Sequence, residues 1–262
     1  MRNTTWNVNG LRAALGKGLP EWLESDPPQV LCLQEVRARP EQIDAQALQR
    51  LGQVYPHSSW NPAQRPGYSG VATFGQAAPL AQRLEMDRPE FDSEGRLVAW
   101  QVTLTSEKDT FWLFNLYFPN GGRDLERVPF KLDFYARLLE VCQELTAAGE
   151  QVAICGDFNT AHREIDLKNA RSNRSHTGFM PEECAWIDRY LEAGLVDIYR
   201  QLYPQRVQYT WWAQFANARK NNVGWRLDYF LVSPALAQRT RDAIIHDEVS
   251  GSDHCPVSWI VE

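Results

Sequence analysis

The chain is short of the residues on which several common chemistries are built. Five cysteines occur in 262 residues, at 32, 142, 155, 184 and 255. They are odd in number, far apart and never in a Cys-x-x-Cys pair. That argues against a disulfide framework or a structural zinc site and for reduced thiols in a reducing compartment. No apolar run approaches the ~18 residues of a membrane span. The opening residues, MRNTTWNVNG, hold no apolar leader, so no secretory signal is expected. His-Glu-x-x-His and Gly-x-Ser-x-Gly are both missing, which removes zincin and nucleophile-elbow chemistry. Net positive charge is missing too: the formal charge is −6. A polyanionic partner would therefore have to be held by local basic patches. GLRAALGKG, at 10–18, falls short of a phosphate loop. Gly10 and Gly16 are one residue too far apart, and Gly18 stands where a Ser or Thr would hold magnesium, so the stretch reads as a helical turn with a basic end.

What is present can fill a sizeable core: 44% of residues are hydrophobic and ten are tryptophan. No repeat, low-complexity segment or linker stands out, so residues 1–262 are read as one domain. Short apolar or alternating runs recur: NTTWNV, QVLCLQ, SGVATFG, RLVAWQVTL, TFWLFNLYF, QVAIC, VQYTWW, WRLDYFLVS and CPVSWIV. Their length and their β-branched and aromatic content predict strands. Helical spacing is found in LRAALGKGLPEWLE, PEQIDAQALQRL, LERVPFKLDFYARLLEVCQELTAA and PEECAWIDRYLEAG. Strands with helices among them predict two sheets flanked by helices.

Several of the apolar runs end in polar residues. VLCL leads to Gln34-Glu35, VAIC to Gly156-Asp157-Phe158-Asn159, and FNLYF carries Tyr117 and leads to Asn120. NTTWNVNG carries Asn7 and Asn9, which share a strand face, as do Asp157 and Asn159. Asp253-His254 precedes the last run, in a chain with only five histidines. Each motif alone reads more simply as a turn, a helix cap or surface polarity. A buried strand cannot hold an unpaired carboxylate at its centre, but its rim can, and functional groups gather at such rims.

Taken in order, WNVNGLR (6–12), LCLQE (31–35), GYSGVA (67–72), YFPNGG (117–122), CGDFNTAHREIDL (155–167), NARKNNVGWRLDYFLVS (217–233) and GSDHCPV (251–257) resemble the exonuclease III-type apurinic/apyrimidinic endonucleases. The resemblance runs from residue 4 to residue 260. It implies a DNase I-like four-layer α/β sandwich, with two mixed β-sheets packed face to face and helices on both outer sides. It also implies a Mg²⁺-dependent nuclease, with Mn²⁺ able to substitute. Such an enzyme cuts duplex DNA 5′ to abasic sites and carries 3′-phosphodiesterase and 3′→5′ exonuclease activity. A cytoplasmic monomer with no membrane partner is the accompanying expectation. Asn9 stands where some members carry Asp, and Cys184 where Arg is more usual. DNase I-like nucleases, sphingomyelinases and inositol-phosphate phosphatases share the Asn, Glu, Asp-x-Asn and Ser-Asp-His motifs. NVGWRLDYF and the pocket that the resemblance implies around Trp211 and Trp225 favour the abasic-site enzyme. A DNA-binding relative without activity would be expected to lack Glu35, Asp157 or His254, and all three are present.

The resemblance assigns roles residue by residue. Glu35, Asp253 and Asn9 would hold the metal. Asp157, Asn159 and Asn7 would handle the attacking water, whether Asp157 takes a proton from it or gives one to the leaving group. Tyr117 would steady an oxygen, and His254, backed by Asp228, would meet the scissile phosphate. Arg12, Lys17, Tyr68, Arg123, Arg219, Lys220 and Asn222 would touch DNA, with Arg226 as a further cation of the same loop. Trp211, Trp225 and Leu227 would accept the abasic sugar, with Phe215 as a wedge. Trp212 is read as core.

Overall fold

A computed structural model describes residues 1–106 and 108–262. Among them, strands β1 (Arg2–Asn7), β2 (Val30–Gln34), β3 (His57–Asn61), β4 (Val71–Gly75), β5 (Ala81–Arg83), β6 (Leu97–Thr103), β7 (Thr110–Tyr117), β8 (Val152–Asp157), β9 (Val196–Asp197), β10 (Trp211–Trp212), β11 (Gly224–Trp225), β12 (Asp228–Val232), β13 (Thr240–Ile245) and β14 (Val257–Val261) build the sheets. One six-stranded sheet has the order β13-β14-β1-β2-β4-β3 and the other β5-β6-β7-β8-β12-β9, while β10 and β11 form a short ribbon. Both large sheets are mixed: β1 runs parallel to β2 and β7 parallel to β8, and the other neighbours pair antiparallel.

The period of two along each central strand explains the layers. On β7, Phe111 and Leu113 face the opposite sheet, and Phe114 and Leu116 face helices. On β8, Ala153 and Cys155 point inward, and Val152 and Ile154 outward. On β2, Val30 and Cys32 face the other sheet, while Leu31 and Leu33 lie under helices. Strands covered on both faces read as continuous apolar runs. The helices Val128–Ala147 and Pro181–Glu192 cover one sheet, and Leu11–Leu15, Leu19–Ser25 and Ala45–Val54 cover the other. The expected four-layer α/β sandwich is the fold.

The same logic explains what the sequence pattern misses. The strands β3, β5, β9 and β13 are the four sheet edges. They are short or partly exposed, so no apolar run marks them. LRAALGKGLPEWLE, expected as one helix, is two, broken at Gly16–Gly18, where Gly18 takes a φ of 97°. VQYTWW contributes only its last two residues as strand.

Inward-facing residues turn polar toward one end of the sandwich. Gln34, buried between the sheets, donates to Thr5 Oγ1 at 2.8 Å and to Asn115 Oδ1 at 2.7 Å. Asn115 in turn donates to Thr73 Oγ1 at 3.0 Å and the Ala72 carbonyl at 3.0 Å. These hydrogen bonds span both sheets and mark the point where hydrocarbon gives way to chemistry.

Gly156 makes the close approach at that end possible. Its φ is 134°, and a Cβ there would lie 1.9 Å from the Leu116 carbonyl oxygen. Gly156→Ala should therefore unfold at much lower urea concentration, with a loss of about 3 kcal/mol or more. A variant that unfolds as wild type does would show that β7 and β8 can separate at no cost.

Candidate active site

The polar ends of six strands converge. The pairing sets Tyr117 opposite Asp157 on β7 and β8, and Asp157 opposite Asp228 on β8 and β12. From the other sheet come Asn7 at the end of β1, Glu35 just after β2, and Asp253 and His254 just before β14. Three of the turns that follow these strands are left-handed: φ is 47° at Asn9, 48° at Glu35 and 50° at Asn159. Asparagine adopts that conformation readily, whereas Glu35 bears a strain of about 1–2 kcal/mol. The turns stop the strands and point polar side chains into a cleft of about 340 Å³.

Asn7 joins the two sheets. Its Nδ2 donates to Glu35 Oε1 at 2.9 Å and to Asp157 Oδ2 at 2.9 Å, and its Oδ1 accepts from the Asn9 amide at 3.0 Å. Asp157 Oδ1 accepts from the Asn159 amide at 2.8 Å. The Asn159 carboxamide donates to the Phe118 carbonyl at 2.9 Å. Asn9 donates to Asp253 Oδ1 at 2.9 Å, and Trp211 Nε1 donates to Asp253 Oδ2 at 3.2 Å.

His254 lies between two acids. Its Nδ1 is 2.8 Å from Asp228 Oδ2, while its Nε2 is 3.7 Å from Asp157 Oδ2, too far for a hydrogen bond. Burial works against the charged ring, but Asp228 and Asp157 outweigh it and lift His254 to about 10. The ring is thus an imidazolium at neutral pH, with Asp228 holding one N–H and the other turned toward the cleft. Burial also pushes the Asp157 carboxyl up to about 7, with the His254 charge opposing and Asp228 reinforcing. Burial and Glu35 push the Tyr117 phenol up, so it remains a donor. Asp253 is held low: burial resists its charge, but His254, Asn9 and Trp211 prevail. Atoms of Asp157, Asp228 and His254 all lie within 4.8 Å of one another, a spacing open to a metal ion.

All nine residues expected to act on the metal, water or phosphate thus come together. Trp211, Trp225 and Leu227 line the same cleft. Trp211 and Trp225 meet edge to face at 6.3 Å. Trp212 is buried in the core between the sheets. Phe215 stands 76% exposed, and Arg12, Lys17, Arg123, Lys220 and Asn222 are also exposed. None of these six, nor half-buried Tyr68, lines the cleft.

One expectation needs correction. Arg226 is no DNA-facing cation: it is wholly buried, donating to Asp166 Oδ1 at 2.8 Å and Asp197 Oδ2 at 2.7 Å. Its neighbour Arg219 spends its guanidinium on the carbonyls of Ser252, Asp247 and Val249, at 3.2, 2.9 and 2.5 Å, and stacks on Trp212. These bonds tie it to the loop that carries Asp253 and leave its charge without a carboxylate partner among the described residues.

The residue roles missed one cleft cation and part of one wall. Arg37 pairs with Glu35 and lines the cleft; its place two residues after Glu35 in LQEVR was the available signal. Thr177 and Gly178 line the opposite wall, and nothing in SHTGFM marks them. Arg96, almost fully buried, lies over the Tyr117 ring at 4.7 Å and donates to Tyr68 Oη at 2.8 Å. A lone arginine before an apolar strand gave no hint of this.

Residues 4–254 match the profile of the Endonuclease/Exonuclease/phosphatase family. An exodeoxyribonuclease from Bacillus subtilis is 40% identical over all of this chain and 99% of its own length. The DNA repair nuclease APEX1 of Danio rerio is 40% identical over 98% of this chain and 81% of its own. Among solved structures, the AP endonuclease LMAP from Leishmania major superposes with a TM-score of 0.87 at 32% identity, covering 98% of this chain and 86% of that one.

The raised pKa of His254 has a checkable sign. It contributes stability that is fully present below the ordinary histidine value of 6.5 and is lost as pH rises through about 10. NMR of the ring in metal-free protein should show a midpoint about 10, and Asp228→Asn should lower it. A wild-type midpoint at 6.5 would contradict the two-acid setting.

Proposed function

Because the chain belongs to the endonuclease/exonuclease/phosphatase family and is a DNA-repair nuclease, we propose that it hydrolyses the phosphodiester 5′ to abasic sites in duplex DNA. We further assign it 3′-phosphodiesterase and 3′→5′ exonuclease activity, and read it as a single-domain monomer. The observation that carries the reading is His254 held by Asp228 with its Nε2 3.7 Å from Asp157 Oδ2, beside an aromatic recess.

The donor set fits a hard divalent cation. Glu35, Asp253 and Asn9 offer only oxygen, and the nearest sulfur in sequence, Cys255 Sγ, is buried and directed at the Tyr209 carbonyl. Mg²⁺ takes such ligands, and Mn²⁺ accepts the same oxygens. The spacing of Asp157, Asp228 and His254 suits a metal less well, because an imidazolium has no lone pair to give. When bound by Glu35, Asp253 and Asn9, the ion supplies charge stabilisation to the phosphate oxygens.

The chain's own groups do the rest. Asp157, with a pKa about 7, is suited to take a proton from water at neutral pH, and such a base contributes about 10²–10⁴-fold. Asn7 and Asn159 fix its orientation, which decides where the water sits. The gap of 3.7 Å between His254 Nε2 and Asp157 leaves the imidazolium N–H free for a phosphate oxygen. Charge develops on that oxygen, so a preorganised cation favours the transition state over the bound substrate. Tyr117 offers a second donor. A sugar without a base leaves the helix at reduced cost and can enter the recess of Trp211, Trp225 and Leu227, which a base would overfill. Exposed Arg12, Lys17, Arg123 and Lys220 would grip phosphates without reading sequence.

A duplex carrying one tetrahydrofuran abasic analogue tests this directly. Cleavage should require Mg²⁺ and stop in EDTA, and Glu35→Ala should need far more Mg²⁺. Trp225→Ala should slow abasic cleavage more than digestion of undamaged 3′ ends. Full activity in EDTA would refute the metal assignment, and equal losses on both substrates would refute the recess.

A further inference from the structure

A lysine interrupts the buried stripe of the helix Val128–Ala147, between Val128 and Phe134. Lys131 is 0% exposed and forms an ion pair with Glu183, equally buried, at 2.7 Å. Glu183 lies on the inner face of the helix Pro181–Glu192, beside Ile187. Fully buried ion pairs add little stability over apolar residues of similar volume. The bonds made by this pair point to another use.

The Lys131 ammonium donates to the Asn159 carbonyl at 2.7 Å, from behind the left-handed turn that aims Asn159. Glu183 Oε2 accepts from the amides of Gly178 at 2.6 Å and Met180 at 3.1 Å. Its Oε1 accepts from Thr177 Oγ1 at 2.8 Å, and that hydroxyl oxygen accepts from the Gly121 amide at 3.1 Å. Gly178 donates nothing further outward but closes the circuit by accepting from Ala161 at 2.8 Å. Three segments are thus tied to one pair: the Asn120–Gly121 loop, the Asp157–Ala161 loop and the Thr177–Met180 wall. Gly178 is packed so closely that a Cβ there would come within 3.2 Å of both the Asn159 carbonyl and the Trp225 ring. Displacing the wall would therefore reach Asn159 and the aromatic recess together.

We propose that the Lys131–Glu183 pair is a positioning device that orients Asn159 and the cleft wall, and so sets the rate of the chemical step rather than the grip on DNA. The claim rests on the phosphodiesterase reading of the same cleft. Neither residue lines the cleft, so both act through Asn159 and Thr177–Gly178. Small displacements of positioned groups are costly to rate.

Lys131→Met/Glu183→Gln removes both charges while keeping volume and leaving an acceptor at 183. Truncating one partner alone would strand a buried charge and confuse folding with chemistry. The double variant should melt close to wild type, yet cleave the tetrahydrofuran duplex about 10- to 100-fold more slowly in single turnover. Its Kd for that duplex should stay within about 3-fold of wild type. A rate equal to wild type in the folded double variant would overturn the proposal, as would a loss of binding as large as the loss of rate. Should the double variant not fold, Thr177→Val decides. It cuts one tie to Glu183 without touching the charges, and should lower the rate about 3- to 10-fold at unchanged Kd. A wild-type rate in that variant would overturn the claim. NMR of the Asn159 carboxamide, without DNA or metal, gives a reading independent of substrate. Its signals should shift in whichever variant folds, and unchanged signals would sink the pair's role even if the substrate assignment stands. Failure of the wild type to cut the duplex would instead sink the substrate assignment alone.

Discussion

One carboxamide ties acids of both sheets together in the cleft. Asn7 sits at the end of β1 in one sheet and reaches across to Asp157 at the end of β8 in the other, while also holding Glu35. Two carboxylates so placed repel each other, and burial adds to the cost of the charge on Asp157. The N–H donors of Asn7 are shared between the two acids, and Arg37 pairs with Glu35 from the other side. Together with the His254–Asp228 contact, the Asn7–Asp157 bond joins the two sheets where the cleft draws groups from both.

The interior prepares this junction gradually. Inward-facing positions are hydrocarbon at mid-strand, then the hydrogen-bonded network of Thr5, Gln34, Thr73 and Asn115, then the open polar set of the cleft. Further polar frameworks hold the walls. Arg226, with Asp166 and Asp197, fixes the segment bearing Trp225 and Leu227. Arg219 braces the segment bearing Asp253 and His254. The lysine–glutamate pair does the same behind Asn159. Arg226, which reads in the sequence as a substrate contact, is instead an internal tie of the segment that borders the cleft.

The fold was legible where strands are buried on both faces, because two-sided burial demands apolar residues at every position. Central strands such as VLCL and VAIC could not hide. The edges β3, β5, β9 and β13 could, since a strand such as His57–Asn61 needs few apolar residues to pair with one neighbour. Glu35, Asp157 and His254 were legible as polar residues that interrupt or precede such runs, and their ordered motifs sharpened the reading. What stayed hidden depends on contacts between distant segments. Charge alone cannot tell that Arg226 is buried against Asp166, or that Arg37 folds back onto Glu35. Thr177 and Gly178 carry no charge or pattern, and their place in the wall follows only from the helix that starts at Pro181.

The account stands on Asp228 and His254 acting as one unit, with Asp157 acting separately on water. Groups that act as a unit give losses that do not add in free energy. A double-mutant cycle of His254→Asn and Asp228→Asn, read by single-turnover cleavage of an abasic duplex with melts as control, addresses this most directly. The account predicts a rate several orders of magnitude lower for His254→Asn, a smaller loss for Asp228→Asn, and a double variant little worse than His254→Asn alone. Fully multiplicative losses in variants that melt as wild type does would show that Asp228 does not work through the histidine, and would contradict it.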